Sequence, residues 1–187
     1  MKKGRIFVIS APSGSGKTTL CRRLLKKCRG VVISRSMTTR RLRKGEKNKR
    51  DYIFISEKQF KKYRRLGEFL EWACVFGYFY GTPKDFVDRS LNRGKDVLLI
   101  IDVQGAFKIK RKRRSSVLIF VMPPSLKELQ KRLFKRKSDD PQQVKLRLEV
   151  ARREIALSRR YDYIVVNDLL DKAVGRLKEI IISYRGK

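Results

Sequence analysis

Residues 6–20 read IFVISAPSGSGKTTL. An apolar run of strand length, Ile6–Ser10, leads into a loop of small residues, and a helical pattern begins at Lys17. Gly14 and Gly16 allow successive backbone amides to turn inward around phosphate oxygens, and the first helical turn adds the positive end of its dipole. This order of strand, loop and helix predicts a phosphate-binding loop; the alternative is a flexible turn that binds nothing.

The side chains of this loop suit the chemistry of a nucleoside triphosphate. The Lys17 ammonium can span the β- and γ-phosphates, and the Thr18 hydroxyl is suited to binding Mg²⁺. Ala11 stands where the motif usually has its first glycine. We therefore predict an ATP site formed by Ala11, Pro12, Ser13, Gly14, Ser15, Gly16, Lys17 and Thr18.

Beyond the loop, strand-like and helix-like patterns alternate along the chain. The apolar runs of strand length are Ile6–Ser10, Val31–Ser34, Val97–Ile101, Val117–Met122 and Ile164–Val166. The helical patterns are Lys17–Cys28, Pro83–Asn92, Gln104–Lys112, Ser125–Arg136, Pro141–Arg160 and Leu169–Tyr184. Such alternation predicts an α/β fold with a parallel five-stranded sheet flanked by helices.

One stretch, from about Ser36 to Gly81, breaks the alternation. It begins as a basic, loop-like run, and its Ser56-x-x-Gln59 pattern indicates a capping box at the start of a helix. Short strand-like runs on both sides of that helix predict a small β-rich insertion. We interpret Thr82-Pro83, which follows, as an N-cap and a first-turn proline of the next helix.

A carboxylate at the end of a buried strand is the natural second ligand for Mg²⁺. Asp102 directly follows the apolar run Val97–Ile101. Because ligands in open parallel sheets gather at the carboxyl ends of the strands, we predict that Asp102 and Thr18 bind the metal. The alternative is that Asp102 only caps the following helix.

The composition excludes several classes of function. The 187 residues contain 49 Lys and Arg, 18 Asp and Glu and no His, so the net charge is +31 and no histidine-based triad, metal site or general base exists. The charge makes nucleic acid a possible partner, but the cations are spread along every segment, and we expect only weak, salt-sensitive binding.

No apolar run approaches the ~20 residues of a membrane span. Three cysteines that cannot all pair suit a reducing, cytoplasmic location.

The chain resembles the guanylate kinase family, which transfers the γ-phosphoryl group of ATP to GMP. The resemblance runs in the family's order through nearly the whole chain. It is carried by these stretches: SAPSGSGK at 10–17, SMTTRRLRKGE at 36–46, Asp51-Tyr52, FLEWA at 69–73, Tyr80-Gly81-Thr82, IDVQGA at 101–106, Pro123-Pro124-Ser125 and VVND at 165–168.

The resemblance implies a GMP site within the insertion. In the family's pattern, two arginines and two tyrosines hold the phosphate, and an acid with two hydroxyls reads the guanine base. On this chain the corresponding residues are Arg40, Arg43, Tyr52 and Tyr80 for the phosphate and Glu71, Ser36 and Thr82 for the base, with Glu46 and Asp102 also assigned to the GMP site. For any single arginine, the alternative is a solvated charge run; for Glu71 it is pairing with a lysine.

The resemblance also implies a mobile basic lid and a division of the chain. Arg132, Arg136 and Arg147 would neutralise charge on the transferring phosphoryl group, which makes the expected catalytic set Lys17, Arg40, Arg132, Arg136 and Arg147. Asn167 is expected near the adenine of ATP. The expected parts are a core (1–35, 83–130 and 148–187), an NMP-binding insertion (36–82) and a lid (131–147), in a P-loop nucleoside triphosphate hydrolase-like fold.

Some positions depart from the family, and rival functions stay open. Ile100 replaces an acid, and Arg136-Lys137 replaces Arg-Gly. The rivals are a non-catalytic guanylate-kinase-like binding module, a kinase for another phosphorylated small molecule, and a nucleic-acid-binding ATPase. The expected substrates are ATP and GMP or dGMP, with Mg²⁺ as cofactor and neither a membrane nor a specific nucleic-acid partner. The sequence does not indicate the oligomeric state.

Overall fold

The computed structural model describes residues 3–43, 45–134 and 141–185. Within these ranges the strands are β1 Ile6–Ser10, β2 Val31–Ser34, β3 Met37–Thr38, β4 Ile53–Phe54, β5 Phe69–Val75, β6 Tyr78–Pro83, β7 Asp96–Ile100, β8 Val117–Met122 and β9 Tyr163–Val166. The helices are α1 Lys17–Lys27, α2 Glu57–Arg65, α3 Lys84–Asn92, α4 Val103–Lys112, α5 Leu126–Phe134, α6 Pro141–Ala156 and α7 Leu170–Ser183. Among the described helices, none combines the length and the apolar character that a membrane span requires.

The main sheet has five strands in the order β2-β7-β1-β8-β9. Strands β2 and β7 pair in parallel, from Val31 opposite Asp96 to Ser34 opposite Leu99, and β8 and β9 also pair in parallel. The inner strands β7, β1 and β8 are mostly apolar and almost fully buried, as expected for a parallel sheet with helices on both faces. The predicted α/β fold with a parallel five-stranded sheet is confirmed.

The chain divides into two compact units, and the first comprises the residues up to Val8 together with Gly30–Ser116. It contains the insertion, a four-stranded sheet in the order β4-β3-β6-β5. Phe60 of α2 stacks on Phe69 and Phe79, with ring centroids 4.6 and 5.2 Å apart. Both predictions for this region, a β-rich insertion and a capping box that opens α2, are confirmed.

The second unit comprises Ile9–Arg29 and the residues from Val117 onward. Helices α1 and α7 pack together within it, and Arg23 of α1 forms an exposed ion pair of 2.7 Å with Asp171 of α7. Helices α5 and α6 share an apolar cluster of Leu129, Leu133, Val144 and Ala151. The packing of this cluster joins the two helices on either side of residues 135–140, the part of the expected lid that lies outside the described residues.

Two local predictions need correction. Thr82 and Pro83 belong to strand β6, and α3 begins at Lys84 without a side-chain cap, so the interpretation of Thr82 as an N-cap was wrong. The Thr82 hydroxyl instead hydrogen-bonds to an acid on the neighbouring strand. The α6 helix ends at Ala156 and continues as a 3₁₀ turn over Leu157–Arg160, rather than as one α-helix to Arg160. At the start of α5, the Ser125 Oγ accepts a hydrogen bond from the Glu128 amide at 3.1 Å.

Candidate active site

The phosphate loop in the second unit has the backbone that anion binding requires. Gly14 and Gly16 both have positive φ, 93° and 81°, so the loop turns through conformations that other residues rarely adopt. The Gly16 carbonyl accepts the bond from Leu20 that opens α1, but no side chain caps this end of the helix and its first turn contains no acid. The N-cap glycine has no side chain with which to cap α1, so the loop meets the positive end of the helix dipole.

Asn167, which follows β9, holds the phosphate loop through a hydrogen bond. Its side-chain nitrogen donates to the Ser15 carbonyl at 2.7 Å, and Asn167 itself is buried. A Cβ atom at Gly16 would lie 2.8 Å from that nitrogen, which is closer than real Cβ atoms approach. Asn167 was predicted to lie near adenine; its contact in the structure is with the phosphate loop.

The expected lid arginines differ in what they contact. Arg147 of α6 donates from a guanidinium nitrogen to the Ser13 hydroxyl at 3.0 Å, so it reaches the phosphate loop. Arg132 of α5 donates to Glu128 one helical turn earlier at 3.0 Å. Arg136 lies outside the described residues. Of the two described arginines, Arg147 is the one with a hydrogen bond to the loop.

In the first unit, Arg40 is the centre of the expected phosphate subsite. Its side chain is only 7% exposed. It donates to both Glu46 carboxylate oxygens, at 2.8 and 3.0 Å, and to the Tyr80 hydroxyl at 3.2 Å. Burial alone would lower the pKa of Arg40, but its bonds to Glu46 and Tyr80 raise the pKa overall, so the guanidinium is a fixed positive charge.

Aromatic rings enclose this guanidinium. The Arg40 carbon Cζ lies 5.5 Å from the centre of the Tyr52 ring and 5.7 Å from that of Phe54. The Tyr52 and Tyr80 rings meet edge to face at 5.9 Å, and burial raises the pKa of Tyr52, which keeps its hydroxyl a donor. The structure thus brings together three of the four residues predicted to bind phosphate. The fourth, Arg43, is exposed, and its backbone amide donates to Glu46 at 2.9 Å.

Glu71 is the acid that is expected to read the guanine base. It lies on β5 and is 4% exposed, and its Oε1 accepts a short 2.6 Å hydrogen bond from the Thr82 hydroxyl on β6. Burial raises the pKa of Glu71 from 4.5 to about 7, and the charge of Asp102 acts in the same direction. The Thr82 hydrogen bond and the charges of Lys108 and Lys112 oppose this rise. Ser36, the third residue predicted to read the base, is also buried.

Asp102 begins helix α4. Its Oδ1 accepts hydrogen bonds from the amides of Gln104 and Gly105, at 2.7 and 3.0 Å. Asp102 therefore caps α4, as the alternative interpretation of this residue expected. These bonds fix the carboxylate at the end of β7. Gly105 was not predicted as a site residue, yet a Cβ atom there would lie 2.8 Å from Glu71 Oε2. A Cβ atom at this position would require the Glu71 carboxylate to shift, so glycine suits the close approach of α4 to Glu71.

The described residues contain no cluster of three or more His, Cys, Asp or Glu side chains that could enclose a metal ion. Mg²⁺ does not need such a cage, because it is usually held by one or two protein oxygens, with water and substrate phosphates completing its shell. The exposed Thr18 hydroxyl in the first turn of α1 and the fixed Asp102 carboxylate are hard oxygen donors of this kind. The donor types therefore fit Mg²⁺.

Comparison with known proteins shows which family the chain belongs to. The family model described as guanylate kinase matches residues 3–184. This chain belongs to the guanylate kinase family. It is 46% identical to a guanylate kinase of Thermotoga maritima over 185 residues, covering 99% of this chain and 89% of that protein. It is 45% identical to a guanylate kinase of Wolbachia pipientis over 186 residues, covering 99% and 92%.

Solved structures of the guanylate kinase family agree with the fold. The crystal structure of guanylate kinase from Anaplasma phagocytophilum is similar, with a TM-score of 0.85 and 37% identity, covering 100% of this chain and 88% of that chain. The P-loop nucleoside triphosphate hydrolase-like fold that the resemblance implied is therefore confirmed.

Two contacts in the site were missed at the level of sequence. One is the ion pair between Glu46 and Arg40, through which Glu46 holds the guanidinium in place. The other is the contact of α4 with Glu71 through Gly105. The Gly-Glu pair at 45–46 and the Gln-Gly pair at 104–105 both lie inside stretches that carry the family resemblance, and this was the only signal available.

Proposed function

We propose that this chain transfers the γ-phosphoryl group of ATP to GMP or dGMP, giving ADP and GDP or dGDP. The observation that carries the proposal is the carboxylate of Glu71, buried on the inserted sheet and hydrogen-bonded to Thr82. A buried carboxylate is costly unless it serves a partner. The Watson–Crick edge of guanine offers two donors, N1–H and the 2-amino group, and one carboxylate accepts from both.

Adenine would not satisfy this carboxylate. Its N1 is an acceptor, so a lone pair would face the Glu71 oxygens and leave a buried charge unpaired. Sites that reject a ligand in this way discriminate by about 10⁴-fold or more. The same argument weighs against a kinase for a phosphorylated small molecule that lacks guanine.

The phosphate of GMP is assigned to the Arg40 cluster of the same unit. Arg40 is proposed to neutralise phosphate charge, since its guanidinium is held by bonds to Glu46, Tyr80 and the Arg41 carbonyl. The Tyr52 and Tyr80 hydroxyls are proposed to donate to phosphate oxygens. Arg43 is proposed to close over the phosphate from the exposed side. Glu46 holds the Arg40 guanidinium in place through its two hydrogen bonds, so we assign it a positioning role within the GMP site.

ATP is assigned to the phosphate loop, residues 11–18. The backbone amides of the loop and Lys17 are proposed to hold its phosphates, and Asn167 fixes the loop by binding the Ser15 carbonyl. Arg132, Arg136 and Arg147 are proposed to offset the negative charge that moves with the phosphoryl group. Thr18 and Asp102 are the proposed Mg²⁺ ligands, and the ion, when bound, supplies further charge neutralisation on the phosphates.

This chemistry needs no general base. The nucleophile is an oxygen of the GMP phosphate, which is already ionised at neutral pH, so the absence of histidine is no obstacle. The chain's own contribution is to position the two phosphates and to surround them with cations and amides. Lys17 and Thr18 are both present, which argues for an enzyme rather than for a binding module without catalysis.

The division of labour follows the chain. We propose that residues 36–82 are the NMP-binding insertion, that 131–147 are the lid and that the remainder is the core. A metabolic kinase that works on free ATP and GMP would act in the cytoplasm, and we propose that location.

A coupled assay of ADP release tests this function. With ATP and Mg²⁺, we expect GMP and dGMP to be strongly preferred over AMP, CMP and UMP. Lys17→Ala should abolish turnover, whereas Lys26→Ala, an exposed lysine later on the same helix, should leave it unchanged. Equal rates with AMP, or full activity of the Lys17 variant, would refute the proposal.

A further inference from the structure

Strand β5, which carries Glu71, lies at the edge of the inserted sheet. Its only strand neighbour in the described sheet is β6, so one side of its backbone has no ladder partner. The ladder is also irregular at Leu70, because Phe69 lies opposite Pro83 and the next pair is Glu71 with Thr82. An edge strand with such a bulge is prone to shift, and a shift would move Glu71 with it.

Two lysines of α4 bind this free side. The Lys112 ammonium donates to the Leu70 carbonyl at 2.7 Å, and the Lys108 ammonium donates to the Trp72 carbonyl at 2.6 Å. The two accepting residues are the immediate neighbours of Glu71. The two donors are four residues apart on one face of the helix, so they meet carbonyls two residues apart on the strand.

Helix α4 therefore touches Glu71 and its strand at several points. Its cap is Asp102, its first turn contains Gly105 beside Glu71 Oε2, and its later turns carry the two lysines. Lys108 also lies 5.1 Å from the centre of the Trp72 ring, a cation–π contact that adds to its hydrogen bond.

We propose that Lys108 and Lys112 are positioning residues for guanine recognition, which clamp strand β5 so that the Glu71 carboxylate faces the base in the correct register. This inference rests on the proposed function, because it assumes that Glu71 binds guanine. The clamp acts on the peptide groups on either side of Glu71 and touches neither substrate. The positive charges of both lysines also favour the ionised carboxylate that guanine requires.

Other charged groups also lie near β5, and one of them, Arg64 of α2, has its Cζ 5.0 Å from the centre of the Trp72 ring. Helix α3 also packs against β5, but its Asp85 pairs with Arg89 and its Asp88 pairs with Arg113. Asp102, at the start of α4, opposes the ionisation of Glu71, and the two lysines offset that effect.

Steady-state kinetics of Lys108→Met and Lys112→Met test the clamp. Methionine keeps most of the apolar stem and removes the ammonium group. Because a hydrogen bond from a charged donor is lost, we expect KM for GMP to rise about 3- to 10-fold in each variant. We expect kcat and KM for ATP to stay within about twofold, and Lys→Arg at the same positions to restore most of the loss.

A base-selectivity ratio separates positioning from general damage. IMP lacks the 2-amino group but keeps N1–H, so a displaced Glu71 should reduce the preference for GMP over IMP, by a smaller factor than it raises KM for GMP. The matched control is Lys110→Met: Lys110 lies on the same helix and also donates to a backbone carbonyl, that of Ser116 at 2.7 Å, away from β5. The control should leave the ratio unchanged.

Two results would overturn the clamp: an unchanged KM for GMP, or equal losses with GMP and IMP. Hydrogen exchange gives a readout that does not depend on catalysis. The amides of residues 70–74 should exchange faster in the Met variants than in the parent chain, and unchanged exchange would refute the clamp. If the parent chain itself fails to phosphorylate GMP, the proposed function fails, and the exchange experiment still decides whether the lysines hold the strand.

Discussion

Replacing Glu71 by glutamine should weaken GMP recognition and at the same time stabilise the folded chain. Glutamine keeps the shape of the side chain but removes its charge. In the native structure burial raises the pKa of Glu71 to about 7, against an ordinary value of 4.5. The difference of about 2.5 pKa units, at about 1.4 kcal/mol per unit, corresponds to about 3 kcal/mol of unfavourable free energy for holding the charged form.

The sign of this effect depends on pH in a defined way. Below pH 4.5 the carboxyl is protonated in both the folded and the unfolded chain, so Glu71 does not lower the free energy of unfolding. Between pH 4.5 and about 7 the unfolded chain ionises and the folded chain does not, so the free energy of unfolding of the parent chain falls. Above about pH 7 the carboxyl is ionised in both the folded and the unfolded chain, so the loss of stability reaches its full value and no longer changes with pH.

Urea unfolding of the parent chain and of Glu71→Gln checks this prediction. At about pH 8 the variant should be more stable by as much as ~3 kcal/mol, and at about pH 5 the gain should shrink below about 1 kcal/mol. KM for GMP should rise at least about tenfold in the same variant, because the side-chain amide of glutamine places an N–H donor opposite the N–H donors of guanine. A stability gain that does not change with pH, or an unchanged KM, would refute the reasoning.

Three other predictions concern the same two half-sites. The kcat/KM for GMP, which reports ionisations of the free enzyme and substrate, should fall as the pH drops below about 7, where Glu71 takes up a proton; a flat profile down to about pH 5 would contradict it. Asn167→Ala should leave the Ser15 carbonyl without its 2.7 Å donor and raise KM for ATP about tenfold, with KM for GMP as the internal control; an unchanged KM for ATP would count against the bracing role. Asp102→Asn can still cap α4, so thermal stability should change little while the Mg²⁺ concentration for half-maximal activity rises; identical Mg²⁺ dependence would remove Asp102 from the metal site.

Local patterns in the sequence were sufficient for the main fold and for the phosphate loop. The run from Ile6 to Leu20 contains its own strand, turn glycines and helix, so its structure depends on neighbours in sequence. The capping box at Ser56 and Gln59 is equally local, and it forms as predicted.

The wrong and missing predictions concern residues whose structure depends on contacts that local sequence patterns do not encode. A threonine before a proline has the same local signature whether it caps a helix or ends a strand, and the partner that binds Thr82 is Glu71, eleven residues earlier on another strand. The pairing of Arg40 with Glu46 requires a loop to fold back, which no periodicity encodes. Lys108 and Lys112 are two of 49 cations, and only the position of α4 against β5 distinguishes them from solvated lysines.

Calorimetric titration of the chain with GMP tests the central claim most directly, because the assignment of function depends on a guanine site in the inserted lobe. We expect saturable binding of one GMP per chain, no measurable binding of AMP under the same conditions, and strongly weakened GMP binding to Glu71→Ala. Absence of GMP binding even with a non-hydrolysable ATP analogue present, or equal affinity for GMP and AMP, would contradict it.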